Sequence, residues 1–259
     1  MKLFVWLLIA CPFFTHSQIV AEHKSTSVLD ADVFLGYDNL GALYFTKDNA
    51  IFKSTEVRTV QYKNISLGKI ERVDLQNPLN IVLLYPNFNT VVMLDNQLNE
   101  TKKISFSDLS EPLMVTACGN ASQNRLWIYN SITQQIGLLD YTKNSYKPIT
   151  QQLSGKFVFY QTDFNNFYWM TDQRQLFVCD VFGKIRSLGK LPDFDAARIT
   201  SDKTAIYLKD NMLRVIDLDT GESKSIETGK KSLSSFWYSP QNLTIFTDRG
   251  LSTYKIQLP

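Results

Sequence analysis

Histidine is nearly missing from this chain: two residues among 259, His16 and His23. A Ser-His-Asp or Cys-His nucleophile needs an imidazole beside it, and a histidine-based zinc site needs several such ligands. His16 falls inside an apolar leader, which leaves only His23, in a polar end segment. Cysteine is equally scarce. Cys11, Cys118 and Cys179 form no C-x-x-C pair, so neither a zinc ribbon nor a thioredoxin-type motif is present. There is no glycine-rich phosphate loop. The net charge of +2 gives no basic footprint for nucleic acid. Eleven glycines and eight prolines are too few for a disordered chain.

What the chain does have is a repeat. Its cleanest copy is Ala205–Ile226, AIYLKDNMLRVIDLDTGESKSI. Two apolar runs, Ala205–Leu208 and Leu213–Leu218, are separated by Lys209-Asp210-Asn211, a turn because Asp and Asn tolerate positive φ. Asp219-Thr220-Gly221 is the next turn, with Gly supplying the left-handed position. The phrase recurs as VVMLD, IGLLD, LFVCD and RVID, which end at Asp95, Asp140, Asp180 and Asp217. The strand before it recurs as well, for example Leu126-Trp127-Ile128 and Ile206-Tyr207-Leu208. Successive copies lie roughly 40 residues apart, the period of a four-stranded propeller blade.

This phase predicts an all-β fold: a β-propeller of six four-stranded blades in a single domain, residues 18–259. The expected innermost strands are Val33–Tyr37, Glu71–Leu75, Leu113–Ala117, Phe157–Tyr160, Ala196–Thr200 and Ser235–Tyr238. Blade 6 then holds only three strands before the chain stops. An open edge leaves backbone groups unpaired, so Gln18–Asp30 is expected to pair beside Leu251–Ile256 and close the ring. Cys118 and Cys179 fall in different blades, which predicts buried free thiols.

Val215-Ile216-Asp217-Leu218-Asp219-Thr220-Gly221-Glu222 resembles the V-x-D-L-x-T-G hairpin shared by propellers of the broad WD40, quinoprotein-like and NHL-like type. The resemblance spans nearly all of residues 18–259. It departs from WD40 proteins in having no Trp-Asp and no Gly-His dipeptide. It also lacks the quinoprotein tryptophan-docking pattern, so it implies no quinone; no cofactor is expected.

The N-terminus reads as a targeting segment. Met1-Lys2 precedes the apolar run Leu3–Phe14, too short to span a bilayer, and Thr15-His16-Ser17 offers a small-x-small cleavage site. Export and removal of residues 1–17 are expected, which places the protein in the periplasm or outer envelope of a Gram-negative bacterium. Leu8-Ile9-Ala10-Cys11 also resembles a lipobox, and its use would leave a lipid anchor on Cys11.

Function in a propeller is argued from its loops, not from its fold. Connections between blades and the turns joining second to third strands share one face. That face gathers Asn87, Phe88, Asp172, Arg174, Asp193, Phe194, Lys230, Lys231 and Arg249. Phe88 and Phe194 lie in turns that do not require burial, and aromatics beside arginine are the composition of interface anchors. Phe88, Arg174, Asp193, Phe194 and Arg249 are therefore the candidate binding residues for a protein or other envelope component. The competing reading is a metal- or carboxylate-dependent enzyme, a lactonase-like hydrolase or a sugar lyase. Its carboxylate pairs would be Asp30 with Asp32, Asp193 with Asp195, or Asp217 with Asp219. The expected inner strands supply only Glu71, Asp74 and Arg198 as charged groups, a poor set for a calcium centre. The repeated aspartates have a simpler use in capping turn N–H groups.

Overall fold

The computed structural model describes residues 18–229 and 232–258, so the leader residues and Lys230-Lys231 lie outside the described part. The chain forms six sheets, each built on three or four consecutive antiparallel strands, and the two N-terminal strands add to the edges of the last two. Blade 1 holds Val33–Tyr37, Leu43–Lys47, Ala50–Ser54 and Thr59–Tyr62. Blade 2 holds Arg72–Asp74, Ile81–Tyr85, Thr90–Leu94 and Glu100–Ser105. Blade 3 holds Val115–Ala121, Arg125–Asn130, Gln135–Asp140 and Ser145–Pro148. Blade 4 holds Phe157–Thr162, Asn166–Thr171, Gln175–Asp180 and Ile185–Lys190. Blade 5 holds Ala196–Ser201, Thr204–Lys209, Met212–Asp217 and Ser223–Glu227. Blade 6 holds Ser235–Ser239, Asn242–Thr247 and Gly250–Lys255. The sheets are the blades of a six-bladed β-propeller.

The strand composition follows from where each blade packs. Side chains on a strand alternate between its two faces, and here both faces are covered by neighbouring blades. In Ile81–Tyr85 the residues Ile81, Leu83 and Tyr85 enter the core between blades 1 and 2. Val82 and Leu84 enter the core between blades 2 and 3. The whole strand is buried, which is why it reads as a continuous apolar run and not as an alternation. Cys118 and Cys179 are buried free thiols in separate cores, as the repeat phase requires.

The turns behave as the repeat suggests. Asp217 accepts hydrogen bonds from the Asp219 and Thr220 N–H groups at 2.9 and 2.8 Å. Asp140 does the same for Thr142 and Lys143. Asp95 holds Gln97 and Asn99, and Asp180 holds Phe182 and Lys184. The Thr220 N–H, and then its side chain, keep the Asp217 carboxyl below its ordinary pKa. A second capped turn recurs at the end of inner strands: Asp38 and Asp163 each bond turn N–H groups and a tyrosine of the next strand, Tyr44 or Tyr168.

One inner strand differs from expectation. In blade 3 it runs Val115–Ala121, further along than Leu113–Ala117. Gly119-Asn120 resembles a turn in sequence, yet it is strand, because Gly119 lets two neighbours approach. A Cβ there would stand 2.8 Å from Asp74 Oδ2 and 2.1 Å from Thr162 Oγ1.

The ring closes as expected and with one addition. Glu22–Ser27 is the fourth strand of blade 6, antiparallel to Gly250–Lys255. Just before it, Ile19-Val20 pairs in parallel with Ile226-Glu227 of blade 5. The core at the junction of blades 6 and 1 is the smallest described. It contains three fully buried residues, Phe34, Phe246 and Leu251, against twelve between blades 2 and 3. At about 2 kcal/mol for each buried large side chain, burial contributes far less there, so strand pairing carries the closure.

Gly250 is where that pairing is most exposed to a single change. Its φ is +112°, and a Cβ would stand 2.3 Å from the Ser27 carbonyl oxygen. Gly250→Val is expected to cost about 1–3 kcal/mol and to speed amide exchange across Glu22–Ser27. Thermal unfolding with hydrogen exchange checks both, and unchanged exchange in that strand would contradict the closure described.

Candidate binding face and charged bore

The antiparallel order sorts the loops onto two faces. The connection face carries the links between blades and the turns joining second to third strands. The hairpin face carries the remaining turns. On the connection face, asparagines in the turns clamp the link entering the next blade. Asn49, with φ +58°, donates to the Gly68 carbonyl and accepts from Ile70 N–H at 2.9 Å. Asn89, with φ +47°, donates to the Leu113 carbonyl at 2.6 Å and accepts from Val115 N–H at 3.0 Å. Asn211 accepts from Leu233 N–H at 3.0 Å. Asn tolerates the left-handed conformation that the tight turn demands, and its amide then satisfies backbone groups that would otherwise be buried unpaired.

These clamps fix the positions of exposed apolar side chains. Phe88 ends the short turn Pro86–Phe88 and is 53% exposed. Its ring lies against Gly68, 3.5 Å from where a Cβ would be. Ile65 is exposed in the same link as Gly68. Met114 lies between the two backbone groups held by Asn89, and its own N–H donates to Asn130 at 3.3 Å. Ile132 donates its N–H to the same Asn130 oxygen. Ile65, Phe88, Met114 and Ile132 are thus exposed side chains on successive loops of blades 1 to 3, each loop hydrogen-bonded to a neighbouring loop.

The other expected residues occupy the rest of this face. Arg174 forms an ion pair with Asp193, tying a turn of blade 4 to the link into blade 5. Phe194 is not the loose aromatic that its turn suggested. It packs edge-on against Phe159, with ring centroids 5.6 Å apart, in the core between blades 4 and 5. Arg249 lines a cleft of about 510 Å³ with Val28–Asp32 at the junction of blades 6 and 1. The carboxylate pairs are dispersed into structural work. Asp30 pairs with Lys47, and Asp32 caps Asp48 N–H. Asp195 pairs with Lys209, and Asp219 lies 3.5 Å from Lys203. Among the described residues, no three His, Cys, Asp or Glu side chains gather as metal ligands.

The bore holds a charged group that sequence reasoning saw only in part. Glu71 precedes the inner strand of blade 2 and is exposed. The residue facing inward beside Asp74 is Arg72, two positions earlier and so on the same side of the strand. Arg72 lies over the ring of Tyr160 at 4.8 Å and reaches the Tyr160 carbonyl at 3.4 Å. Asp74 accepts from Gln76 and Asn120 N–H groups at 2.8 and 2.6 Å. Burial still outweighs those bonds and raises its carboxyl pKa. Arg198 stands exposed to the bore yet is crowded by protein. Loss of hydration and the nearby Arg72 lower its pKa, with Asp74 opposing.

No protein-family model and no curated protein matches the chain. Solved structures do resemble it. It is similar to the β-propeller domain of Myceliophteria thermophila Cps50 (Swd1), with 9% identity over 92% of this chain and 100% of that one and a TM-score of 0.61. It is similar to the WD40 propeller domain of Doa1, with 12% identity over 86% and 77% and a TM-score of 0.57. A third is virginiamycin B lyase from Staphylococcus aureus with quinupristin, in a catalytically inactive form carrying a histidine-to-alanine change. It has 10% identity over 91% and 82% and a TM-score of 0.54. At these identities the likeness defines the fold: this chain is a β-propeller.

The asparagine clamps make a direct prediction. Asn89→Ala leaves the Val115 N–H and the Leu113 carbonyl without partners, at about 1–3 kcal/mol for each buried group. Urea unfolding is expected to show a loss in that range, and Asn211→Ala, whose side chain accepts from Leu233 N–H, is expected to lose stability as well. Equal, negligible losses would contradict the clamp.

Proposed function

We propose that this chain is a non-catalytic binding module, exported to the periplasm or outer envelope of a Gram-negative bacterium, that docks a protein or other envelope component on its connection face. The observation that supports it most is the arc of Ile65, Phe88, Met114 and Ile132, exposed on loops that hydrogen bonds hold in place. Apolar anchors on a preorganised surface, with polar groups around them, are what a protein interface uses. Arg174, Asp193 and Arg249 supply that polar surround. The hairpin face also exposes apolar residues, Leu40, Leu79 and Phe182, but these stand on turns of separate hairpins.

A lyase-like activity has weaker support. The variant of virginiamycin B lyase that lost one histidine is described as inactive. Here the sole histidine among the described residues is His23, exposed on the outermost strand of blade 6 and bonded to Thr26.

Affinity isolation from envelope extract tests the reading. A partner retained by the wild type and by Phe182→Ala, but lost from Phe88→Ala/Ile132→Ser, is the expected result. Loss only in Phe182→Ala would move the surface to the other face. Substrate turnover that survives the Phe88/Ile132 change would overturn the non-catalytic reading.

A further inference from the structure

Arg198 has a different setting from Arg174 and Arg186. Arg174 and Arg186 each have a carboxylate partner. Among the described residues, Arg198 has neither an ion pair nor a side-chain hydrogen bond. The carboxylate whose charge acts on it is that of Asp74, and both oxygens of Asp74 already accept backbone N–H groups. The other charge facing Arg198 is the cation Arg72. Two guanidinium groups therefore stand near one carboxylate, and the bore carries net positive charge.

Arg198 also opens onto a cleft of about 360 Å³ between blades 5 and 6 on the hairpin face. Thr200, Ser201, Thr204 and Ser239 also line it, with the Thr200 hydroxyl donating to the Thr204 carbonyl, and Tyr238 forms one wall. Ser239 is shared with a second cleft of about 500 Å³ between blades 6 and 1, walled by Trp237 and Tyr37. Trp237 sits directly over Gly36, where a Cβ would come within 2.2 Å of its ring. Both clefts reach Ser239 at the end of the inner strand of blade 6, with Arg198 on one side of that strand and Trp237 and Tyr37 on the other, beside Asp38, which is paired with Lys53. The second cleft lies at the junction whose apolar core is smallest.

We propose that these two adjoining clefts bind one small molecule that carries an oxyanion and a planar ring and reaches across Ser239, the oxyanion held by Arg198 and the ring beside Trp237. A guanidinium donates paired N–H groups to a carboxylate or phosphate, and an arginine without a protein partner is the expected state of such an anchor before ligand arrives. A pocket with apolar walls and a few converging polar groups is what a small-molecule site presents. This site is independent of the connection-face reading, because it lies on the opposite side of the ring.

Titration with phenyl phosphate, followed by tryptophan fluorescence, tests the site. Trp127 and Trp169 are buried in the core between blades 3 and 4, so Trp237 is the responsive probe among the described residues. The expected result is a saturable change, weakened roughly tenfold or more in Arg198→Gln, as loss of a charge-assisted hydrogen bond implies. Arg198→Lys is expected to retain part of the affinity. Inorganic phosphate and acetate, which lack the ring, are expected to bind more weakly than phenyl phosphate and benzoate, and the two pairs separate phosphate from carboxylate preference. Arg198→Gln relieves repulsion from Arg72, so its thermal midpoint is expected to match or exceed that of the ligand-free wild type. Unchanged affinity in Arg198→Gln, a response that never saturates, or equal binding of ringed and ring-free probes would overturn the proposal. Arg174→Ala, on the other face, is the control expected to bind as the wild type does.

Discussion

A propeller is a closed ring, and everything else here depends on that closure. Each blade buries its apolar strands only because a neighbour covers both faces. An open ring would expose one face of the first blade and one of the last, together with unpaired strand edges. The chain meets this demand by returning its N-terminal strand Glu22–Ser27 to the edge of its last three strands. With only Phe34, Phe246 and Leu251 fully buried at that junction, backbone pairing does there what side-chain packing does elsewhere. The same economy leaves room for the cleft beside Trp237.

Asparagine clamps convert the ring into a surface. Turn geometry requires a left-handed residue at Asn49, Asn89 and Asn211. The same side chains then fix the next blade's entry by hydrogen bonding its backbone. Loop residues that would otherwise sample many positions, Phe88 and Met114 above all, are therefore held before any partner arrives. Preorganisation of that kind lowers the entropy lost on association. The local turn chemistry and the proposed binding role are thus two consequences of one side chain.

Much of this was legible in the residues. The period of roughly 40 residues, the Asp-initiated turns and the need for a closing strand all predict features that the structure has. What escaped was long-range. The inner strand of blade 3 runs through Gly119-Asn120 because Asp74 and Thr162, far away in sequence, crowd that position. Phe194 looked free because its neighbours Asp193 and Asp195 are polar, yet its ring finds Phe159 across a blade boundary. Arg72 was within reach: a strand that turns Asp74 inward must turn the residue two earlier inward as well. Its stacking on Tyr160, two blades away, was not.

The measurement that bears most directly on the binding-face account is site-specific photo-crosslinking in living cells, with the reactive group placed at position 88 or, separately, at position 182. The account predicts that position 88 captures a discrete partner and that position 182, fully exposed on the hairpin face, captures none. Capture from position 182 with silence at position 88 would contradict it.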